Sequence, residues 1–183
     1  MSEPQAFDIG TRVEASLHGN EVAILRGSLT YQRDTFRWKC SGLTQDQLAQ
    51  PLPPTEMTLG GMMKHLALVE SQWFDHFLRD VGFAPPFDTV DWDADDDWEF
   101  HSAQHDTPQE LRALFDGSVR RADSAVDDAL TRGGLDEESV RVSPRTGETF
   151  TLRWILVHMI QEYCRHNGHA DLIRESIDAH TGE

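Results

Sequence analysis

Apolar residues recur with the period of an α-helix in four long segments of the chain. The first predicted helix spans residues 20–39, and the proline-rich residues 51–54 follow it. The second begins at Thr58, whose side chain is suited to cap a helix, and ends near Gly82. Its apolar side chains form one wide face, which consists of Leu59, Met62, Met63, Leu66, Val69, Trp73, Phe74 and Phe77.

The third predicted helix has the clearest start in the sequence. Thr107 takes the N-cap position, Pro108 takes the first helical position, and Glu110 completes a capping box. Gly133 and Gly134 end this helix, because consecutive glycines favour a turn. We therefore expect one continuous helix between these two signals.

The fourth predicted helix begins near Thr149 or Thr151 and continues to about Ile177. Before it, residues 135–150 are rich in turn signals, and we expect a short hairpin around Pro144 and Gly147. Each of the four amphipathic helices needs a partner for its apolar face, and four helices can share one core. The pattern therefore predicts an all-α protein with the architecture of a four-helix bundle.

We expect a long acidic loop over residues 84–106, between the second and third helices. Its residues 88–99 hold the densest run of acids in the chain. Within this run, residues 93–97 lack the glycine and the distal glutamate of a calcium-binding loop, so we expect the negative charge to be mostly a solvated surface. Trp92 and Trp98 interrupt the acids, and we expect both side chains to anchor the loop against the bundle.

The composition and net charge of the chain limit the classes of protein to which it can belong. The 183 residues, 38% of them apolar, are enough for a single domain over residues 1–183. A formal net charge of −16 argues against partners such as nucleic acid or an anionic membrane surface. The chain shows no secretion signal and no apolar stretch long enough to span a membrane. We therefore expect a cytoplasmic protein in which Cys40 and Cys164 are free thiols.

The fourth predicted helix carries many side chains that can coordinate a metal. Glu162 and His166 are four residues apart and share one helix face, a spacing that suits a bound ion. His158 and His169 lie one turn before and one turn after this pair, so each is a candidate further ligand or a partner behind the ligands. Glutamate–histidine pairs at this spacing commonly face solvent on the surface of a helix. The residues around Glu162 and His166 are largely apolar, however, which is hard to reconcile with a fully solvated helix face.

His65 lies within the most apolar of the predicted helices. A lone histidine on such a face is more often a hydrogen-bonded core residue than a metal ligand. Together with Glu162 and His166, however, it completes a set of three nitrogen and oxygen ligands that leaves one coordination position open. This set favours zinc and is compatible with nickel, cobalt, manganese or iron.

Two stretches of the chain resemble the signature stretches of the DinB-like (YfiT-like) superfamily: residues 58–74, TLGGMMKHLALVESQWF, and residues 152–175, LRWILVHMIQEYCRHNGHADLIRE. The resemblance is nearest to the actinobacterial branch of mycothiol-dependent S-transferases. It implies a four-helix bundle, usually a homodimer, that holds a divalent metal through His65, Glu162 and His166. Many members have histidine at both positions of the last-helix pair. Glu162 departs from that pattern and is similar to the arrangement in mycothiol-dependent maleylpyruvate isomerase.

The same resemblance implies an enzyme that conjugates a low-molecular-weight thiol to an electrophilic small molecule. A metal ion beside a thiol deprotonates it, so the protein needs no nucleophile of its own. Cys164 lies two residues after Glu162 and is rotated away from the ligand face. We therefore expect Cys164 to be a packing residue.

The identity of the thiol depends on the source of the chain. Of the 16 basic residues, only Lys39 and Lys64 are lysines, a ratio that both a GC-rich genome and a halophile produce. A GC-rich actinobacterium would make mycothiol the thiol, whereas a halophile weakens that choice. Two other functions stay open from the residues: a metal-binding, stress-associated protein without turnover, and a metal-dependent hydrolase that ionises water.

Overall fold

The computed structural model describes residues 12–181. This part of the chain contains six α-helices: α1 (Glu21–Lys39), α2 (Gln45–Leu48), α3 (Leu59–Glu70), α4 (Trp98–Ser102), α5 (Pro108–Arg132) and α6 (Leu152–Asp178). The α3 helix continues directly as a π-helix over Ser71–Leu78. Three short 3₁₀ turns complete the regular structure: Phe87–Thr89, Ala103–His105 and Gly134–Asp136.

The four long helices form the bundle. The α1 helix packs along α6, whereas α3 and its π-helical extension pack along α5, and α3 also contacts α6. These four helices correspond to the four that hydrophobic periodicity predicts, so the all-α prediction is confirmed. The short helices α2 and α4 have no apolar repeat long enough to reveal them in the sequence.

Side chains at the helix starts bond to the backbone as predicted. Thr58 Oγ1 accepts a hydrogen bond from a backbone N–H of the first turn of α3 at 2.9 Å. Thr107 and Glu110 form the predicted capping box at the start of α5. Of the two candidates for the start of α6, Thr151 is the cap, and its Oγ1 accepts from the backbone N–H of Trp154 at 3.2 Å.

The apolar faces of the long helices meet in one core. Its fully buried aromatic side chains include Phe36, Phe74, Phe115 and Tyr163, which come from all four long segments. The ring centroids of Phe36 and Phe115 are 5.9 Å apart, and those of Phe115 and Tyr163 are 6.3 Å apart. Aromatic packing therefore joins α1, α5 and α6 at the centre of the bundle.

A buried ion pair crosses this core. Arg33 on α1 donates two hydrogen bonds to the carboxylate of Glu70 on α3, at 2.7 and 2.6 Å. The Tyr163 hydroxyl on α6 donates to the same carboxylate at 2.7 Å, and Arg33 also reaches Asp123 on α5 at 2.8 Å. One network of hydrogen bonds thus touches all four long helices.

The acidic segment of residues 84–106 is not a plain loop, because two of the 3₁₀ turns and α4 interrupt it. Lys64 of α3 holds it in place through an ion pair with Asp106 at 2.6 Å and through a cation–π contact of 4.3 Å with the Trp98 ring. Trp92 and Trp98 are in edge-to-face contact at 6.3 Å and pack against the core. The prediction that these two tryptophans anchor the segment is confirmed.

Close contact between α4 and α3 depends on a glycine. A Cβ atom on Gly61 would lie 2.7 Å from Cδ1 of Phe100, so any other residue at this position would force the Phe100 ring or the two helices to shift.

The acids around α4 divide into two groups. Asp93, Asp96 and Asp97 are exposed, as predicted for solvated acids, but Glu99 is buried. The prediction that the acidic charge is mostly solvated therefore agrees with these three acids, and Glu99 is the exception.

The connection before α6 contains less structure than the predicted hairpin. Glu138 and Thr151 form a single antiparallel bridge, and the backbone N–H of Ser143 donates to the carbonyl of Glu148 at 2.8 Å. These contacts make a turn, and no strand forms within residues 12–181.

Along the same residues, no helix combines the length and the apolar character that a membrane crossing requires.

The buried ion pair predicts a large loss of stability on truncation of one partner. We expect Glu70→Ala to lower the free energy of unfolding by about 3–5 kcal/mol, because the buried Arg33 guanidinium loses the carboxylate that it pairs with in the core. Urea denaturation followed by circular dichroism measures this loss. The control is Arg26→Ala, which removes an exposed pair with Asp127 and should cost less than about 1 kcal/mol. Equal losses in the two variants would contradict the prediction.

Candidate metal centre

Three side chains predicted as metal ligands meet between α3 and α6. His65 projects from α3, and Glu162 and His166 project from α6, with one ligand atom from each lying within 4.8 Å of the other two. On α6, His166 Nε2 lies 3.4 Å from Glu162 Oε1. Across residues 12–181, no other set of three His, Cys, Asp or Glu side chains is placed so that it could share an ion.

The opposite directions of the two helices produce this meeting. His65 lies beside His166, with ring centroids 5.1 Å apart. Trp73, two turns further along in the π-helix, lies beside His158, two turns earlier on α6, at 4.5 Å. The i, i+4 spacing of Glu162 and His166 then aims both side chains at His65.

The three side chains differ in their exposure. The side chain of His166 is 9% exposed, and those of Glu162 and His65 are 20% and 22% exposed. The pKa of His166 is lowered to about 4, first by burial and then by repulsion from His65 and His169, while Glu162 acts in the opposite direction. His166 is therefore neutral at neutral pH, which is the form in which imidazole binds a metal.

Glu99, to which the sequence assigned no role, lies directly behind His65. Its Oε1 atom is 2.8 Å from Nδ1 of His65, and its side chain is buried. A carboxylate accepts here, so Nδ1 carries the proton and Nε2 is left as the metal-facing nitrogen. The Phe100 ring stacks on His65 at 5.1 Å and holds the imidazole from a second side. No spacing in the sequence links Glu99 to His65, because the two residues are 34 positions apart.

The donor set fits a divalent first-row ion. Two imidazole nitrogens and one carboxylate oxygen are ligand types that such ions accept, and three protein ligands leave a position for a substrate atom. A carboxylate behind a histidine is also a common feature of metal sites, because it orients the ring and raises its basicity. His166 has no such support among the described residues, since its Nδ1 atom is buried without a hydrogen-bond partner.

The other two candidate histidines of α6 lie outside the set of three. His158 stacks on Trp154 with the rings 5.0 Å apart and 8° from parallel. Burial lowers the pKa of His158. The His169 ring meets that of His166 edge-on at 5.7 Å. Both residues therefore flank the candidate site from opposite ends.

The two cysteines are free, as predicted, but their surroundings differ. Cys40 is buried, and burial raises the pKa of its thiol to about 12. Cys164 is exposed, so its prediction as a packing residue is wrong. It lines a cavity together with Gln32 and Trp38 of α1. The rotation of Cys164 away from Glu162 therefore brings it to a different surface of α6.

The contact between Glu99 and His65 predicts an effect on metal affinity. We expect Glu99→Ala to weaken zinc binding roughly 10- to 100-fold, because His65 loses the acceptor that orients its ring. Competition with a chromophoric chelator measures the affinity. Asp97→Ala, which removes an exposed acid two positions away, is the matched control. Unchanged affinity in Glu99→Ala, with normal circular dichroism, would contradict the role.

Comparison with known proteins shows the family of the chain. No curated protein matches the chain. A family model described as Mycothiol-S-transferase matches residues 24–179. The matched region includes α3, α5, α6 and most of α1, and it contains all three side chains of the candidate metal centre. Because the match covers most of its length, the chain belongs to the mycothiol S-transferase family, a DinB-like family.

Proposed function

We propose that this protein conjugates mycothiol to an electrophilic small molecule at a divalent ion, zinc, held by His65, Glu162 and His166. The observation that carries the proposal is the meeting of these three side chains between α3 and α6. Membership of the mycothiol S-transferase family supports the choice of thiol and of reaction.

The residues around the centre have distinct tasks in this reaction. His65, Glu162 and His166 would hold the ion. When bound, the ion would supply the positive charge that favours the deprotonated form of the thiol at neutral pH. Glu99 and Phe100 fix the direction of His65. Burial of His166 keeps its imidazole neutral and able to bind the ion.

The nucleophile in this proposal is the sulfur of the thiol substrate. Its lone pair forms the new carbon–sulfur bond, and the leaving group of the electrophile departs with the bonding electron pair. The proton lost from the thiol passes to solvent. Neither cysteine of the protein is suited to this role, since Cys40 is buried with a raised pKa and Cys164 lies in a separate cavity.

Three further properties stay predictions from the sequence and the resemblance: a homodimer, a single domain over residues 1–183, and a cytoplasmic location. Size-exclusion chromatography with light scattering measures the first of these directly.

Removal of the metal should abolish conjugation. We expect chelator-treated protein to be inactive with monochlorobimane and mycothiol, and added zinc should restore the rate. His65→Ala, Glu162→Ala and His166→Ala should each lose bound metal and activity while keeping their helical circular dichroism, because the bundle does not depend on the ion alone. His101→Ala, which removes an exposed histidine of α4, is the control.

The same assay tests the choice of thiol and of reaction. Mycothiol should be preferred when bacillithiol and glutathione are compared with it. Full activity of metal-free protein, or full metal content in His65→Ala, would overturn the assignment of the centre. If the metal-loaded protein conjugates none of the three thiols but hydrolyses an ester or amide, the transferase proposal fails in favour of a metal-dependent hydrolase.

Replacement of the exposed cysteine should have little effect on conjugation. We expect Cys164→Ser to keep activity within about twofold of the unmodified protein, because the substrate supplies the attacking sulfur. Steady-state rates with mycothiol measure this, and metal analysis confirms that the variant is loaded. A variant that is inactive while fully metal-loaded would show that Cys164 takes part in the reaction.

A further inference from the structure

A cleft lies beside the first turn of α6, apart from the three metal ligands. It has a volume of about 370 Å³, within the range of small-molecule sites. Phe150 and Trp154 form its aromatic wall. The rest of its lining is polar and consists of Ser143, Arg145, Thr146, Glu148, Thr149 and Thr151.

Trp154 is firmly held although it is 45% exposed. Its ring stacks on His158, with the two planes 8° from parallel, and lies 4.8 Å from Phe150 and 5.2 Å from Trp73. A large aromatic side chain that is fixed by its neighbours and still meets solvent offers a rigid surface for a ligand at little cost in conformational entropy.

The cleft and the candidate metal centre lie along the same stripe of α6. Trp154, His158, Glu162 and His166 follow one another at intervals of four residues. The eight residues between Trp154 and Glu162 correspond to about 12 Å along the helix axis. A ligand of moderate length can therefore occupy the cleft with one end and the metal centre with the other.

The polar lining favours a ligand rich in hydroxyl groups. Ser143 Oγ accepts backbone hydrogen bonds from Arg145 and Thr146 at 3.3 Å, and Thr151 Oγ1 accepts from Trp154, so both hydroxyls keep a hydrogen to donate. Arg145 adds donors and Glu148 adds acceptors. A purely apolar ligand would desolvate these groups without bonding to them, which is costly. The apolar face of a sugar ring, which its C–H groups form, can pack on the indole of Trp154.

We propose that this cleft binds the polyhydroxylated rings of mycothiol, and this inference rests on the proposed function. Mycothiol consists of N-acetylcysteine joined to a glucosamine that carries an inositol. Its rings and its sulfur are therefore at opposite ends of the molecule. Trp154 packs against a ring, and the polar lining bonds to the hydroxyls, while the sulfur extends toward His65, Glu162 and His166.

Kinetics with two thiols test the cleft. We expect Trp154→Ala to raise KM for mycothiol about tenfold with little change in kcat, the size expected for truncation of an aromatic anchor. The kinetics with N-acetylcysteine, which has no rings, should not change. Val157→Ala is the control, because Val157 is also exposed on α6 but does not line the cleft. Glu148→Gln alters the polar lining without disturbing the aromatic packing and should raise KM for mycothiol in the same selective way.

A binding measurement separates this inference from the proposed function. We expect glucosaminyl-inositol, which lacks the cysteine, to bind the metal-free protein in isothermal titration calorimetry and to bind Trp154→Ala about tenfold more weakly. Binding of these rings without any mycothiol conjugation would support the cleft and refute the transferase. Conjugation of mycothiol with unchanged KM in both Trp154→Ala and Glu148→Gln would support the transferase and overturn the assignment of the cleft.

Discussion

The buried contact of Arg33 with Glu70 is the interaction on which the arrangement of the bundle depends. A buried charge is costly unless its partner is present, so α1 and α3 can pack only in the register that brings these two side chains together. Tyr163 extends the same constraint to α6, and it lies between Glu162 and His166 in the sequence. The network therefore sets the relative positions of the two helices that carry the candidate metal ligands.

The candidate centre also depends on the segment between α3 and α5. Three contacts dock this segment on α3: the Lys64–Asp106 ion pair, the Phe100–His65 stack and the Glu99–His65 hydrogen bond. The first two hold the segment against α3, and the third orients the candidate ligand His65. The net charge of −16 is therefore not only a property of the surface, because one of the acids, Glu99, is buried beside the candidate ligand His65.

Along α6, the proposed tasks of reaction and recognition are separated in space. Glu162 and His166 contribute to the centre where a bond would form, whereas Trp154 belongs to the cleft proposed for the rings of the thiol. His158 lies between them and packs against Trp154 and Trp73. The packing of this one stripe against α3 and its π-helical extension therefore places both sites at a fixed separation.

The sequence by itself determined the features that depend on near neighbours in the chain. Caps and apolar periodicity predicted the four long helices, and the i, i+4 spacing placed Glu162 and His166 on one face, because helix geometry is local. His65 completed a possible set of three ligands with them, and the resemblance of two stretches to a known superfamily implied the same set. Only the tertiary structure decided the burial of Glu99 behind His65, the exposure of Cys164 and the pairing of Arg33 with Glu70. Each of these features depends on which helices pack against each other. That packing joins segments far apart in the chain, so the spacing of residues within one segment does not predict it.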